Sequence, residues 1–240
     1  MSELKFPSEV IDLPSKGLLY PKDNPLSSGQ VEMKYMTAKE EDILTNQAYI
    51  TKGIVIDKLL ESLILSKVNL DDLYPGDKNA ILVAARVLGY GKDYSFTVNN
   101  KKYTVDLSTL ENVEFDESLF DNGVGNIEFI CPSTSNQITF KLLNGHDDKA
   151  IEKTIKGLKK LNKESSPELT TRLKYMITSV NGDEDQKSIN DFVDNHFLAR
   201  DARAFREYIK EIQPDIDLST EVEGEEVTIP IGLSFFWPDL

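Results

Sequence analysis

Tyr94-Ser95-Phe96-Thr97-Val98-Asn99-Asn100-Lys101-Lys102-Tyr103-Thr104-Val105-Asp106-Leu107 decides the fold class. Apolar side chains fall at every second position, Tyr94, Phe96 and Val98 before the asparagine pair and Tyr103, Val105 and Leu107 after it, which is the pattern of a β-hairpin closed by a two-residue turn. Immediately upstream the period is helical. Ala80, Ile81, Val83, Ala84, Val87 and Leu88 fill one side of a helix that Asp77 is placed to cap and that Gly89 and Gly91 are placed to end. Helical and strand periods therefore occur in separate runs, and the expected class is α+β.

The same reading extends in both directions. Val31, Met33 and Tyr35 alternate with Gln30, Glu32 and Lys34 as in a half-buried strand over 29–36. Thr37-Ala38-Lys39-Glu40 has the spacing of a capping box and predicts a helix over 38–48, with a second at 54–64 carried by Leu59, Leu60 and Leu63. Downstream, 127–130 and 137–143 read as a second hairpin around the loop Cys131-Pro132-Ser133-Thr134-Ser135-Asn136. Helices are predicted from Asp147 toward Asn162, from Pro167 to the Asn181-Gly182 stop, and over 186–195 and 199–212, before a strand containing Val227, Ile229 and Ile231. This order gives two helical blocks around central hairpins, with the N- and C-terminal strands free to pair in one antiparallel sheet. The chain divides into 1–92, 93–145 and 146–240, read as one cooperative unit, and no period of 20 to 50 residues indicates a solenoid.

Composition narrows the function classes. Of 240 residues 40% are hydrophobic, enough for a core, and 41 acidic against 27 basic residues give a net charge of −14. That balance argues against nucleic acid as a partner, since Lys153, Lys156, Lys159, Lys160 and Lys163 follow helical spacing as a solvated face. Cys131 is the only cysteine, which excludes an intrachain disulfide, suits a reducing cytoplasm and makes it a small core residue. Neither a signal peptide nor a membrane span is legible, so no membrane is expected as a partner.

Chemistry-bearing patterns are incomplete. There is no phosphate-binding loop, and Gly123-Val124-Gly125 lacks the third glycine of a dinucleotide fingerprint. His146 is expected to cap or lie exposed, and His196 to sit at a helix C-terminus, neither in a triad context. Asp183-Glu184-Asp185 does not complete a calcium loop. The expectation is a noncatalytic protein with no catalytic residue, metal or cofactor. An enzyme built on paired carboxylates stands as the reading a suitable cleft would favour.

Both ends carry apolar groups bounded by proline. Leu13-Pro14-Ser15-Lys16-Gly17-Leu18-Leu19-Tyr20-Pro21 forms a short stiff arm, and Phe235-Phe236-Trp237-Pro238 an aromatic tail. Each either packs on its own domain or anchors a partner, which makes Leu18, Leu19, Tyr20, Phe235, Phe236 and Trp237 the candidate partner-binding residues.

Leu13 to Pro21, Val31-Glu32-Met33-Lys34 with Met36 to Asp42, and the terminal Phe235 to Pro238 together resemble the T4-like phage baseplate proteins, with a looser likeness from Phe129 through Asp148. The resemblance spans nearly the whole chain. It implies a tail-morphogenesis protein of the baseplate hub pathway, acting in the host cytoplasm as an assembly factor or chaperone on hub or tape-measure proteins. The alternative it implies is a permanent hub subunit of the virion tail, and a homo-oligomer is compatible with either.

Overall fold

Asn99 and Asn100 both adopt left-handed backbone conformations, with φ of 50° and 62°, and so close an antiparallel hairpin between residues 93–98 and 101–106. The structure, a computed structural model, describes residues 7–120, 126–161 and 167–236. Gly123-Val124-Gly125 and Trp237 lie outside the described residues.

The first elements are β1 (Ser8–Asp12) and β2 (Gln30–Lys34), which pair antiparallel from Ser8 opposite Lys34 to Asp12 opposite Gln30. β1 is an unexpected strand, and the predicted arm is the loop that joins it to β2. Next come the helices α1 (Ala38–Leu44), α2 (Gln47–Lys52) and α3 (Val55–Leu63). The single helix expected over 38–48 is broken because the Asn46 side chain accepts from the amides of Ala48 and Tyr49, which starts α2 afresh. Thr37 donates its amide and its hydroxyl to Glu40 at 2.9 and 2.7 Å, the carboxylate half of the predicted capping box. Glu40 is wholly buried and also accepts from Lys34 at 2.7 Å and Ser62 at 2.6 Å, so one carboxylate ties β2, α1 and α3 together.

α4 (Pro75–Tyr90) follows, with Pro75 at its first position, and leads into β3 (Asp93–Val98) and β4 (Lys101–Asp106). The second predicted hairpin is present as β5 (Ile127–Ile130) and β6 (Gln137–Phe140), followed by α5 (Gly145–Leu161) and α6 (Glu168–Met176). α6 stops well short of Asn181. Ile177–Val180 is a strand, β7, on the open edge of β6, giving a three-stranded sheet in the order β5-β6-β7. Its β-branched residues Ile177, Thr178 and Val180 suit an extended backbone, and Asn181 and Gly182 turn the chain at φ of 52° and 83°.

The last elements are α7 (Gln186–Asp191), a single π-helical turn at Phe192–His196, α8 (Ala199–Ile212), and the hairpin of β8 (Ser219–Val222) with β9 (Glu225–Thr228). The expected sheet joining the two ends of the chain is not formed. Each terminal strand has a nearer partner: the turns over 13–29 fold β1 onto β2, and Glu223-Gly224, with φ of 55° and 83°, folds β8 onto β9. The architecture is α+β, with small antiparallel sheets set among helices. Residues from Leu13 to Phe236 contribute to one main core, while Leu143, Ile151 and Ile155 form a smaller cluster under α5.

Candidate functional site

The Leu13–Pro21 stretch is built from successive tight turns. Lys16 donates to the Leu13 carbonyl, Leu18 to Ser15 and Tyr20 to Gly17, while Leu13 is tied to Gly29 at 2.8 Å. Gly17 has a φ of 81°, and a Cβ there would fall 2.4 Å from the Ser27 carbonyl oxygen, so this turn requires glycine. Leu13 and Leu19 are buried, each worth about 1.5–3 kcal/mol of apolar burial.

Asp77 holds this loop in place and does not cap α4 as its position in sequence predicts. It lies in the first turn of α4, 1% exposed, and points away from the helix amides into the loop. Its Oδ1 accepts from the Ser15 amide at 2.9 Å, and its Oδ2 accepts from the Ser15 hydroxyl at 2.7 Å and the Tyr20 hydroxyl at 2.6 Å. Burial pushes the Asp77 carboxyl above its ordinary range, only partly offset by the bonds from Ser15 and Tyr20. Burial, followed by the neighbouring Asp77 charge, likewise raises the Tyr20 phenol. The signal for this role was present: residue 77 shares the apolar face of Ala80 and Ile81, where an acid needs a specific partner.

The candidate partner residues thus separate. Leu19, Tyr20, Phe235 and Phe236 are internal packing elements, with Tyr20 against Tyr74 at 5.5 Å and Phe235 against Tyr94 at 4.7 Å between ring centroids. Leu18 faces outward at 38% exposure. The loop and the tail do enter one core, but through different neighbours on α4 and β3.

The remaining candidates have structural settings. His146 is exposed, with Nε2 2.9 Å from Asp72, and His196 ends the π-helical turn. Asp185 caps α7 by accepting from the amides of Lys187 and Ser188. Cys131 is wholly buried beside the loop that Asp201 pins through the Ser133 amide and the Thr134 hydroxyl at 2.7 and 2.9 Å. Among the described residues no group of three or more His, Cys, Asp or Glu is placed to hold a metal ion.

A sizeable concavity lies elsewhere. A cleft of about 790 Å³ runs between α5, α6, β7 and α7, with Thr154, Leu158 and Tyr175 on one wall and Ile177, Thr178 and Ile189 on another. Its lysines are paired, Lys141 with Asp147 at 2.7 Å and Lys174 with Asp194 at 2.6 Å, and Thr154 shares a hydroxyl bond of 3.0 Å with Tyr175. Two carboxyls that burial raises, Asp77 and Asp215, are both outside it. Its lining mixes polar side chains such as Thr171, Gln186 and Asn190 with the apolar Leu158, Ile177 and Ile189.

A shallower groove continues from this cleft along α5, with Gly157 on its floor. A Cβ added at Gly157 would meet nothing within 4 Å. Gly157→Ala is therefore expected to raise stability by about 0.5–1 kcal/mol through helix propensity alone, measured as a higher midpoint in urea with an unchanged slope. A loss of stability would show that the open position is needed by the fold. Comparison of the chain with protein-family models, curated proteins and solved structures finds no match to any of them.

Proposed function

We propose that this chain is a noncatalytic tail-morphogenesis protein of a contractile-tailed phage, acting in the host cytoplasm as an assembly factor or chaperone for baseplate hub or tape-measure proteins. The observation that carries this reading is the resemblance of Leu13–Pro21, Val31–Asp42 and Phe235–Pro238 to the T4-like baseplate proteins. Two further observations support it. The first two motifs have coherent physical roles, one in the loop held by Asp77 and the other in the Lys34–Glu40–Ser62 junction, so they specify a fold and not merely a composition. The open cleft beside α5, where polar and apolar side chains lie together and the lysines are paired, suits a segment of another protein.

The test uses infected cells and purified tails. An assembly factor copurifies with hub or tape-measure proteins from lysates and is missing from mature tails. A stoichiometric band in mature tails would instead make the chain a permanent hub subunit, and failure to copurify with any tail protein would overturn both.

A further inference from the structure

Gly157 has no internal reason to be glycine. It sits inside α5, where glycine weakens a helix, yet the space above it is open. The glycines inside the other helix and at the start of α5 differ. Added Cβ atoms at Gly76, Gly89 and Gly145 would lie 2.0, 2.4 and 2.9 Å from the Pro214 carbonyl oxygen, the Met36 sulfur and the Asp71 carbonyl oxygen. Only outside α5 is there anything for Gly157 to accommodate.

The surroundings define what that would be. Ala150, Thr154, Gly157 and Leu158 form the floor of a groove of about 550 Å³, between Lys153 and Tyr175. These positions share one face of α5, and from 150 to 158 they run about 12 Å along its axis, more than two helical turns. Small residues at such a surface let a second helix approach to about 8 Å between axes. Leu158 keeps 37% of its surface exposed, and Thr154, Leu158 and Tyr175 join the groove to the larger cleft.

Along one rim run Lys149, Lys153, Lys156 and Lys160, spaced so that they line one side of the helix. Lys149 is engaged by Asp71 and Lys156 by Glu152, whereas among the described residues Lys153 and Lys160 have no carboxylate partner. In a chain of net charge −14, these two lysines, Lys153 and Lys160, place local positive charge beside an apolar floor. A second copy of the chain would bring the same net negative charge. A nucleic acid would find phosphate contacts only along one rim and a single aromatic ring, Tyr175, in the lining, short of the run of stacking faces that a single strand uses.

We propose that this face of α5 seats an acidic amphipathic helix of a partner protein, its small apolar side over Ala150, Gly157 and Leu158 and its carboxylates against Lys153 and Lys160. The proposal rests on the assembly reading for its biological setting and deepens it by naming the surface and the chemistry of the partner.

The probe is a designed amphipathic helix of about 18 residues, with alanine and leucine on one face and glutamate along one flank, compared with a version carrying lysine in place of glutamate. In NMR titrations of the full chain the acidic helix should shift the amides of residues 150–160 and Tyr175, and the basic helix should not. Gly157→Leu, which fills the groove, and the pair Lys153→Glu with Lys160→Glu should each weaken binding by about tenfold or more, while the charge-reversed pair gains affinity for the basic helix. If Gly157→Leu does not melt cooperatively, the charge-reversed pair decides.

No shift at α5 with the acidic helix, or binding indifferent to these substitutions, overturns the proposal. So does a single-stranded oligonucleotide that displaces the acidic helix from α5, or a self-associated form of the chain that Gly157→Leu abolishes. If the charge-reversed pair still copurifies with tail proteins at wild-type yield, the groove is wrong while the assembly reading stands.

Discussion

Asp77→Ala is expected to destabilise the protein by about 3–5 kcal/mol, because it strands the Ser15 amide, the Ser15 hydroxyl and the Tyr20 hydroxyl in the interior, each at about 1–3 kcal/mol when left unsatisfied. The measurement is urea unfolding at neutral pH. A loss below about 1 kcal/mol would mean that the loop closes without its carboxylate. Asp77→Asn keeps the size and one acceptor, and the two hydroxyls can rotate to accept from its amide, so its cost should be nearer 1–2 kcal/mol.

The pair also gives a pH signature. Since burial raises the folded-state value of Asp77, the folded chain holds this proton more tightly than the unfolded one. Its contribution to stability is present at low pH and is lost as pH rises through the folded value. Relative to wild type, Asp77→Asn should lack that downward slope.

Glu40→Ala is the second large effect, about 3–5 kcal/mol, since it removes one member of a buried ion pair and also takes the acceptor from Thr37 and Ser62. Its pH signature has the opposite sign. Burial pushes the Glu40 carboxyl up, but the combined hydrogen bonds from Lys34, Ser62 and Thr37 outweigh it and bring the value from 4.5 down to about 2. Stability from Glu40 is therefore present above 4.5 and lost as pH falls toward about 2. Acid titration of the unfolding midpoint should show a fall in wild type over that window that Glu40→Gln lacks. An identical profile in the variant would remove Glu40 as its source.

The sequence made some elements legible because their signals are local. The Asn99-Asn100 turn needs only two residues able to take positive φ between alternating strands, and it closes the hairpin as expected. α8 matches its expected range because its apolar stripe and Pro214 are both unambiguous. Ile177–Val180 misleads because short apolar runs suit either a helix or a strand, and the open edge of β6, which decides between them, is fixed by tertiary structure. The partner of Asp77 lies 57 and 62 residues upstream, a separation no local pattern encodes. Of the partner-binding candidates legible in the sequence, Leu18 is exposed but lies outside the α5 groove, and no local pattern singles out Gly157. A glycine at the centre of a strongly patterned helix is visible in the chain, but its meaning depends on knowing that the space above it is open.

One feature of the core bears on how the molecule is made. The face of β3 that carries Tyr94 is completed by Phe235, 141 residues later, and the 3-10 turn at Leu233–Phe236 rests on α4. At ribosomal rates of about 5–20 residues per second, that aromatic face waits roughly 7–28 s between its own synthesis and the arrival of its cover. The loop held by Asp77 is complete long before, because every residue in it precedes residue 78. The nascent chain can thus fasten the 13–29 loop early, while the aromatic face of β3 stays uncovered until Phe235 has been made.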